Sequence, residues 1–222
     1  TVDVSVHERN GPDDTFGWGV VFSDESLDNL EQADPVSMEA IRSAFRYWGD
    51  IDTHYRGTVV RSSGHGFCGF SRKKLLNILQ ERARGLGVTL QFHSEVTSLA
   101  DVAGADLVIA ADGVDSIVRR DLAEHLRPHV DWRKAKFCWL GTTLPLEAFT
   151  FVFLESEWGV FQVHAYPFED ELSTWIVEAH DDVWRRAGLA DADEVRTVAF
   201  CEELFAEFLH GHRLLSNRSI WR

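Results

Sequence analysis

The stretch Ala105-Asp106-Leu107-Val108-Ile109-Ala110-Ala111-Asp112-Gly113-Val114-Asp115-Ser116-Ile117-Val118-Arg119-Arg120 reads as a strand that runs into an acidic glycine turn and then a helix. Leu107 to Ala111 is short and wholly apolar, the pattern of a strand covered on both faces in a parallel sheet. Asp112-Gly113 then falls at the strand's carboxyl end, where open α/β sheets place their ligands, so the layout points to a nucleotide cofactor. A carboxylate does not ligate a pyrophosphate directly. Asp112 would instead accept from a cofactor hydroxyl or orient backbone N–H groups, and Gly113 would permit close approach. The same residues also suit an ordinary strand-turn-helix with an Asp-Gly turn.

Two further segments bear on that choice. Val2-Asp3-Val4-Ser5-Val6-His7-Glu8-Arg9-Asn10 alternates apolar and polar residues and ends in a carboxylate. The second strand of a dinucleotide-binding unit does the same, and its terminal acid bonds a ribose hydroxyl, which makes Glu8 the candidate. From Ser71, a helix with Arg72 in its first turn carries Leu75, Leu76, Leu79, Ala83 and Leu86 at helical spacing and closes near Gly87, where a strand run Val88–Phe92 begins.

Elsewhere the pattern changes. Asp34-Pro35 suits the N-cap and first position of a helix whose apolar face is Met38, Ile41, Ala44, Phe45 and Trp48, with its end expected near Gly49. From Lys134 onward, strands are expected at roughly 135–144, 149–155, 159–166 and 172–179, and their short connections imply an antiparallel sheet. A final helix follows Asp193, with Val195, Val198, Phe205, Phe208 and Leu209 as its buried stripe.

Composition narrows the classes. At 45% hydrophobic and 26% charged residues the chain is ordinary globular material. No apolar run approaches the roughly 18 residues of a membrane span, so no membrane partner is expected. Cys68, Cys138 and Cys201 are widely separated and odd in number, which favours reduced core thiols and a cytoplasmic setting. The formal charge of −14 argues against nucleic acid, and a polyanionic substrate would need a local basic patch such as Arg72, Lys73 and Lys74, or Arg133, Lys134 and Lys136. His210-Gly211-His212 lacks a nearby third ligand and suits a helix end better than a metal site, so no metal is expected. There is no GxSxG turn, HExxH, CxxC or P-loop.

The ordered set "VHERN", "SRKKLLNILQERARGLGV", "SEVTSL" and "ADLVIAADGVDSIVRR" resembles the flavin-dependent aromatic hydroxylases of the p-hydroxybenzoate hydroxylase type. The segments Phe16–Asp24, Trp139–Pro145, Phe161–Pro167 and Asn217–Arg222 look like the branch that hydroxylates aromatic acyl-CoA thioesters of the salicylyl-CoA and 2-aminobenzoyl-CoA type. Two motifs of that family are missing: no G-x-G-x-x-G turn precedes Val2, and the later Gly-Asp motif is absent. The chain is therefore expected to be an interior fragment, inactive alone.

The resemblance implies an α/β fold, in which a partial FAD-binding Rossmann-like domain with a parallel sheet is interleaved with a substrate domain on an antiparallel or mixed sheet. Residues 1–34 and 88–130 would supply cofactor-domain portions, 35–87 a helix and crossover segment, and 131–222 the substrate sheet and terminal helix. It implies FAD as cofactor, NAD(P)H as co-substrate, and oxygen transfer from a flavin hydroperoxide to a small aromatic substrate, with O2 consumed. Glu8 would hold the adenosine ribose with Arg9 beside it, Arg72 would approach the ribose and phosphate region, and the Val96 backbone would meet the adenine edge. Asp112 and Gly113 would sit at the pyrophosphate end, and Gly17 and Gly19 would let their loop pass the isoalloxazine. Gln162 and His164, alternate residues of one strand, would contact substrate or both face solvent. Two other readings stay open: a hydroxylase of a free phenol or indole, and a non-catalytic flavoprotein-like binding module.

Overall fold

The computed structural model describes Val2–Arg222. The chain divides into two compact units, a smaller one of Thr1–Asp14 with Gln80–Arg133 and a larger one of Thr15–Leu79 with Lys134–Arg222. The fold is α/β, with a small parallel sheet and a large mixed sheet.

In the smaller unit, β1 (Ser5–His7) pairs in parallel with β5 (Thr89–Gln91), and Glu8 continues the ladder through its N–H to Gln91 O at 2.9 Å. The chain reaches β5 through α3 (Arg72–Gly85), which begins in the larger unit and ends at the left-handed Gly87 (φ +84°). Two short helices, α4 (Ile117–Asp121) and α5 (Ala123–Leu126), complete the unit.

Leu107–Ala111 departs from the expected buried strand. It forms no ladder, and the side chains of Leu107 and Ile109 are 78% and 82% exposed. An apolar parallel strand is held by neighbours on both edges and cover on both faces. Among the described residues β1 and β5 pair only with each other, and Leu107–Ala111 joins neither of their free edges. The Asp112-Gly113 turn forms nonetheless, because its geometry is local.

The larger unit holds an eight-stranded sheet built from β2 (Gly19–Ser23), β3 (Arg46–Tyr55), β4 (Thr58–Ser71), β6 (Ala135–Thr142), β7 (Phe149–Ser156), β8 (Gly159–Glu169), β9 (Leu172–His180) and β10 (Leu214–Leu215). Their spatial order is β10-β6-β9-β8-β7-β3-β4-β2, antiparallel throughout except for the parallel pair β3–β7. The four strands expected after Lys134 correspond to β6 through β9.

The stretch 43–71 is a second departure. The helix from Pro35, α2 (Pro35–Arg42), stops at Arg42, and Trp48 lies in β3. Met38 and Ile41 do form the apolar face, buried against Cys68 and Phe70, and Phe45 packs on the same cluster from outside the helix. Beyond it, aromatic and β-branched residues pair as the hairpin β3–β4 across Arg56-Gly57, both at positive φ (48° and 73°). Sheet pairing here overrides the helical spacing of the apolar positions.

Alternation sorts the sheet's two faces. Cys138, Leu140, Val152, Phe161, Val163, Ala165, Trp175 and Val177 point to one, where α6 (Asp181–Arg186), α7 (Glu194–Leu204) and α8 (Ala206–Leu209) cover them with Val183, Cys201, Phe205 and Leu209. Val195 is 78% exposed and stands outside the expected stripe, since the register of α7 turns Thr197 and Cys201 inward. The opposite face carries Trp48, Tyr166 and Ile176 with Phe67, Trp139 and Phe149. All three cysteines are buried free thiols. Among the described residues, no helix is long and apolar enough to cross a membrane.

Candidate cofactor and substrate site

The smaller unit gathers Glu8, Arg9 and the strand-following segment to Val96 at the carboxyl ends of β1 and β5. Ser94 N–H donates to Glu8 O at 2.9 Å, and His93 N–H to Asn10 O at 3.2 Å, so the two strand ends are tied together two residues before Val96. One carboxylate oxygen of Glu8, Oε1, accepts from the Asn10 backbone N–H (2.7 Å) and from Asn10 Nδ2 (2.8 Å). Its Oε2 has no donor among the described residues, which leaves an acceptor for a hydroxyl. Arg9 is exposed, and Val96 is half-buried.

Asp112 is otherwise occupied. Its Oδ2 accepts from the Ile117 N–H at 2.8 Å, so the carboxylate caps the start of α4. The Ser116 side chain above all holds this carboxyl below its ordinary range, with desolvation opposing the fall and the Ile117 N–H adding to it. Gly113 (φ +85°) adopts the left-handed conformation the turn requires, and a Cβ there would meet nothing within 4 Å. No hydrogen bond joins Asp112-Gly113 to Glu8 among the described residues. Asp112 therefore orients the N–H groups of its own helix start.

The larger unit brings Gly17, Gly19 and Arg72 together around Trp18. The Arg72 N–H donates to Trp18 O at 3.0 Å, the Tyr166 hydroxyl to Gly19 O at 3.2 Å, and Asn217 Nδ2 to Gly17 O at 2.9 Å. A Cβ on Gly17 would lie 2.8 Å from the Trp139 ring, and one on Gly19 2.6 Å from Phe168 Cβ. Both glycines are thus required by ring packing within this unit. The Arg72 guanidinium is half-buried and has no carboxylate within ion-pair distance among the described residues. It acts electrostatically on Tyr166, whose pKa burial pushes up to about 12, with Thr174 and Arg72 opposing the rise.

Gln162 and His164 occupy the uncovered face of β8 beside a residue the sequence reading missed. Glu178 on β9 is paired in register with Gln162, which donates to its Oε2, and its Oε1 stands 3.7 Å from His164 Nδ1. Alternation past Ile176 was the available signal for Glu178. The His164 ring stacks on Phe149 (6.3 Å between centroids, 14° between planes) and lies near Phe151. Burial lowers the pKa of His164, and the Glu178 carboxylate opposes that fall.

A cleft of about 1180 Å³ lies elsewhere in the larger unit, between Arg46, Lys74, Phe168 and the acidic run Glu169–Glu171. Arg46 pairs with Asp170 and Lys74 with Glu169, so the lining cations are already met by carboxylates. Lys74 of the candidate basic patch lines it, whereas Glu8, Arg72, Asp112, Gln162 and His164 do not. His210 and Gly211 end α8 at positive φ (49° and 85°), and His212 Nδ1 bonds the Thr143 hydroxyl at 3.0 Å.

The chain is 44% identical over 227 residues to a salicyloyl-CoA 5-hydroxylase from a Streptomyces species, spanning 99% of this chain and 44% of that protein. It is 30% identical over 219 residues to a 3-hydroxy-4-methyl-anthranilyl-[aryl-carrier protein] 5-monooxygenase from Streptosporangium sibiricum, across 99% of this chain and 58% of the relative. By name, these relatives are a hydroxylase and a monooxygenase acting on aromatic substrates. The chain spans about half the length of these curated relatives. Among solved structures, the tetrameric 2-methyl-3-hydroxypyridine-5-carboxylic acid oxygenase shares the fold, with a TM-score of 0.73 at 19% identity over 99% of this chain and 64% of that one. No protein-family model matches.

Proposed function

We propose that this chain belongs to an FAD-dependent monooxygenase that hydroxylates an aromatic ring carried as an acyl thioester, with NAD(P)H and O2 as co-substrates. The reading rests on the 44% identity across 99% of the chain. The names of two relatives place the ring on a carrier, CoA in one and an aryl-carrier protein in the other. Buried, reduced thiols accord with a cytoplasmic setting.

The residues present fit the cofactor. Glu8 Oε2, without a donor, suits a ribose hydroxyl, and the ion-pair-free Arg72 suits the ribose and phosphate region. Arg9 would lie beside the ribose, and the Val96 backbone would meet the adenine edge. Asp112 and Gly113 would lie at the pyrophosphate end through the turn they form, while Gly17 and Gly19 would line the approach to the ring system. When bound and reduced, FAD supplies the activation of O2. The chain's own residues would position the ring and exclude water, with the partly exposed aromatic surface around Phe149, Phe151 and His164 as the substrate surface.

The test uses the complete protein carrying this chain. With NADH or NADPH it should convert salicyloyl-CoA to a product heavier by one oxygen atom and leave free salicylate largely unreacted. Equal turnover of the free acid would remove the thioester from the assignment. Arg72→Ala and Asp112→Ala should each lower the flavin that copurifies several-fold, and full flavin content in both would overturn their placement.

A further inference from the structure

Gly17, Trp18 and Gly19 present three consecutive carbonyls, and each accepts from a different part of the larger unit: Gly17 O from Asn217 Nδ2 at 2.9 Å, Trp18 O from the Arg72 N–H at 3.0 Å and Gly19 O from the Tyr166 hydroxyl at 3.2 Å. Arg72 opens α3 and Tyr166 lies in β8, so regular structure places both. Asn217 is placed by an irregularity. Leu215 of β10 pairs with Gly141 of β6, and the chain then leaves that strand until Arg222, which exchanges two backbone hydrogen bonds with Phe137 (3.0 and 3.1 Å). Six residues, Ser216–Trp221, thus stand opposite three, Cys138–Leu140. Extra residues in a strand sacrifice ladder pairing and re-aim side chains. Arg218 also takes the left-handed backbone (φ +53°), which persists only where the surroundings hold it.

Here the hold is visible. Glu194, at the start of α7, accepts through Oε1 from the Ser216 hydroxyl and from the Ser219 N–H (2.9 Å). The Ser219 hydroxyl, on a residue 4% exposed, donates to Trp139 O at 2.5 Å. Trp139 in turn covers Gly17, and the Trp18 ring covers Gly141, where a Cβ would lie 2.9 Å from it. The loop and β6 therefore interlock through two reciprocal tryptophan-glycine contacts, and the excursion bonds both partners of the first. Phe16–Asp24, Trp139–Pro145 and Asn217–Arg222, three of the segments that resemble the acyl-thioester branch, meet in this one arrangement. We propose that Asn217 is a positioning residue for the flavin: the excursion brings its amide to Gly17 O and holds the Gly17–Gly19 loop in the conformation that receives the isoalloxazine. This rests on the proposed function, in which that loop lines the approach to the ring system. Asn217 acts through the loop backbone, because a loop ordered in advance binds its ligand without the cost of ordering it.

The experiment titrates FAD into the flavin-free complete protein and records the circular dichroism of the visible flavin bands once FAD is bound. Asn217→Ala, and Asn217→Asp, which keeps the size of the side chain but removes the donor, should each raise the Kd for FAD roughly three- to tenfold and alter the flavin dichroism. Glu194→Ala, which reaches the loop only through the excursion, should do the same. Glu194→Gln keeps an acceptor for the Ser216 and Ser219 donors and should restore the wild-type values. A merely structural Asn217 would lower the urea midpoint of the flavin-free protein and leave the Kd and dichroism of the folded protein unchanged, and that result would overturn the inference while leaving the function intact. A crystal structure of the FAD-loaded wild type gives a reading that needs no variant to fold. Asn217 Nδ2 should remain within hydrogen-bond distance of Gly17 O with the loop against the isoalloxazine, and a loop that parts from Asn217 or stands away from the ring would overturn the inference alone. Failure of the wild-type complete protein to bind FAD would overturn both.

Discussion

The two units of this chain differ in what they bury. The larger unit packs Trp175, Phe161, Phe205 and Leu140 to 1% exposure or less between an eight-stranded sheet and its helices. Among the described residues of the smaller unit only Gly11 is buried, and Val2, Leu107, Ile109, Val114 and Trp132 are largely exposed. The smaller unit has the sequence pattern of a parallel sheet but pairs only three residues in each of two strands. A sheet pattern is a statement about neighbours, and where the neighbours are missing the same residues become exposed apolar surface.

The sharpest way to break this contrast is to truncate matched side chains. Phe161→Ala should destabilise the larger unit by about 3–5 kcal/mol in urea unfolding, as large cavities in rigid cores do. Ile109→Ala should stay within about 0.5 kcal/mol, as exposed substitutions do. Comparable losses at the two sites would show that the smaller unit has a core after all. A smaller effect is expected at Gly19, where the Cβ of an alanine would overlap Phe168. Gly19→Ala should cost about 1–3 kcal/mol by the same measurement. An unchanged midpoint would mean the loop repacks freely.

The smallest effect is set by pH. Burial, ahead of any neighbouring charge, raises the pKa of Cys68 to about 11 and of Cys138 to about 12 from an ordinary 9.0. Below pH 9 both folded and unfolded chains keep these protons. As pH rises further the unfolded chain releases them first, so the larger unit should lose stability progressively from pH 9 towards 12. Urea midpoints followed by circular dichroism between pH 8 and 10.5 should fall, and a Cys68→Ala, Cys138→Ala double variant should fall less. Parallel declines in the two proteins would assign the loss to other groups.

Legibility in the sequence followed the same divide. Strands β6 to β9 were readable because alternation and turn residues are local, and β7, β8 and β9 pair in sequence order, although β6 pairs with the distant β9 and β10. The hairpin β3–β4 was hidden because Met38, Ile41, Phe45 and Trp48 fall at helical spacing across a boundary where Arg42 ends one element and Arg46 begins another. Its Arg56-Gly57 turn was the local signal available. At the candidate site, Glu8 and Arg72 stood out by their position at a strand end and a helix start. Glu178 did not, because nothing about a glutamate in β9 marks it until register sets it opposite Gln162 and diagonal to His164.

Cys68, Cys138 and Cys201 all lie in the larger unit with no exposed surface. A thiol-directed alkylating reagent added to the native protein would therefore mark nothing until that unit opens, while the smaller unit offers it no target. Counting adducts against time would make the three sulfurs an internal clock for the opening of one half of the molecule.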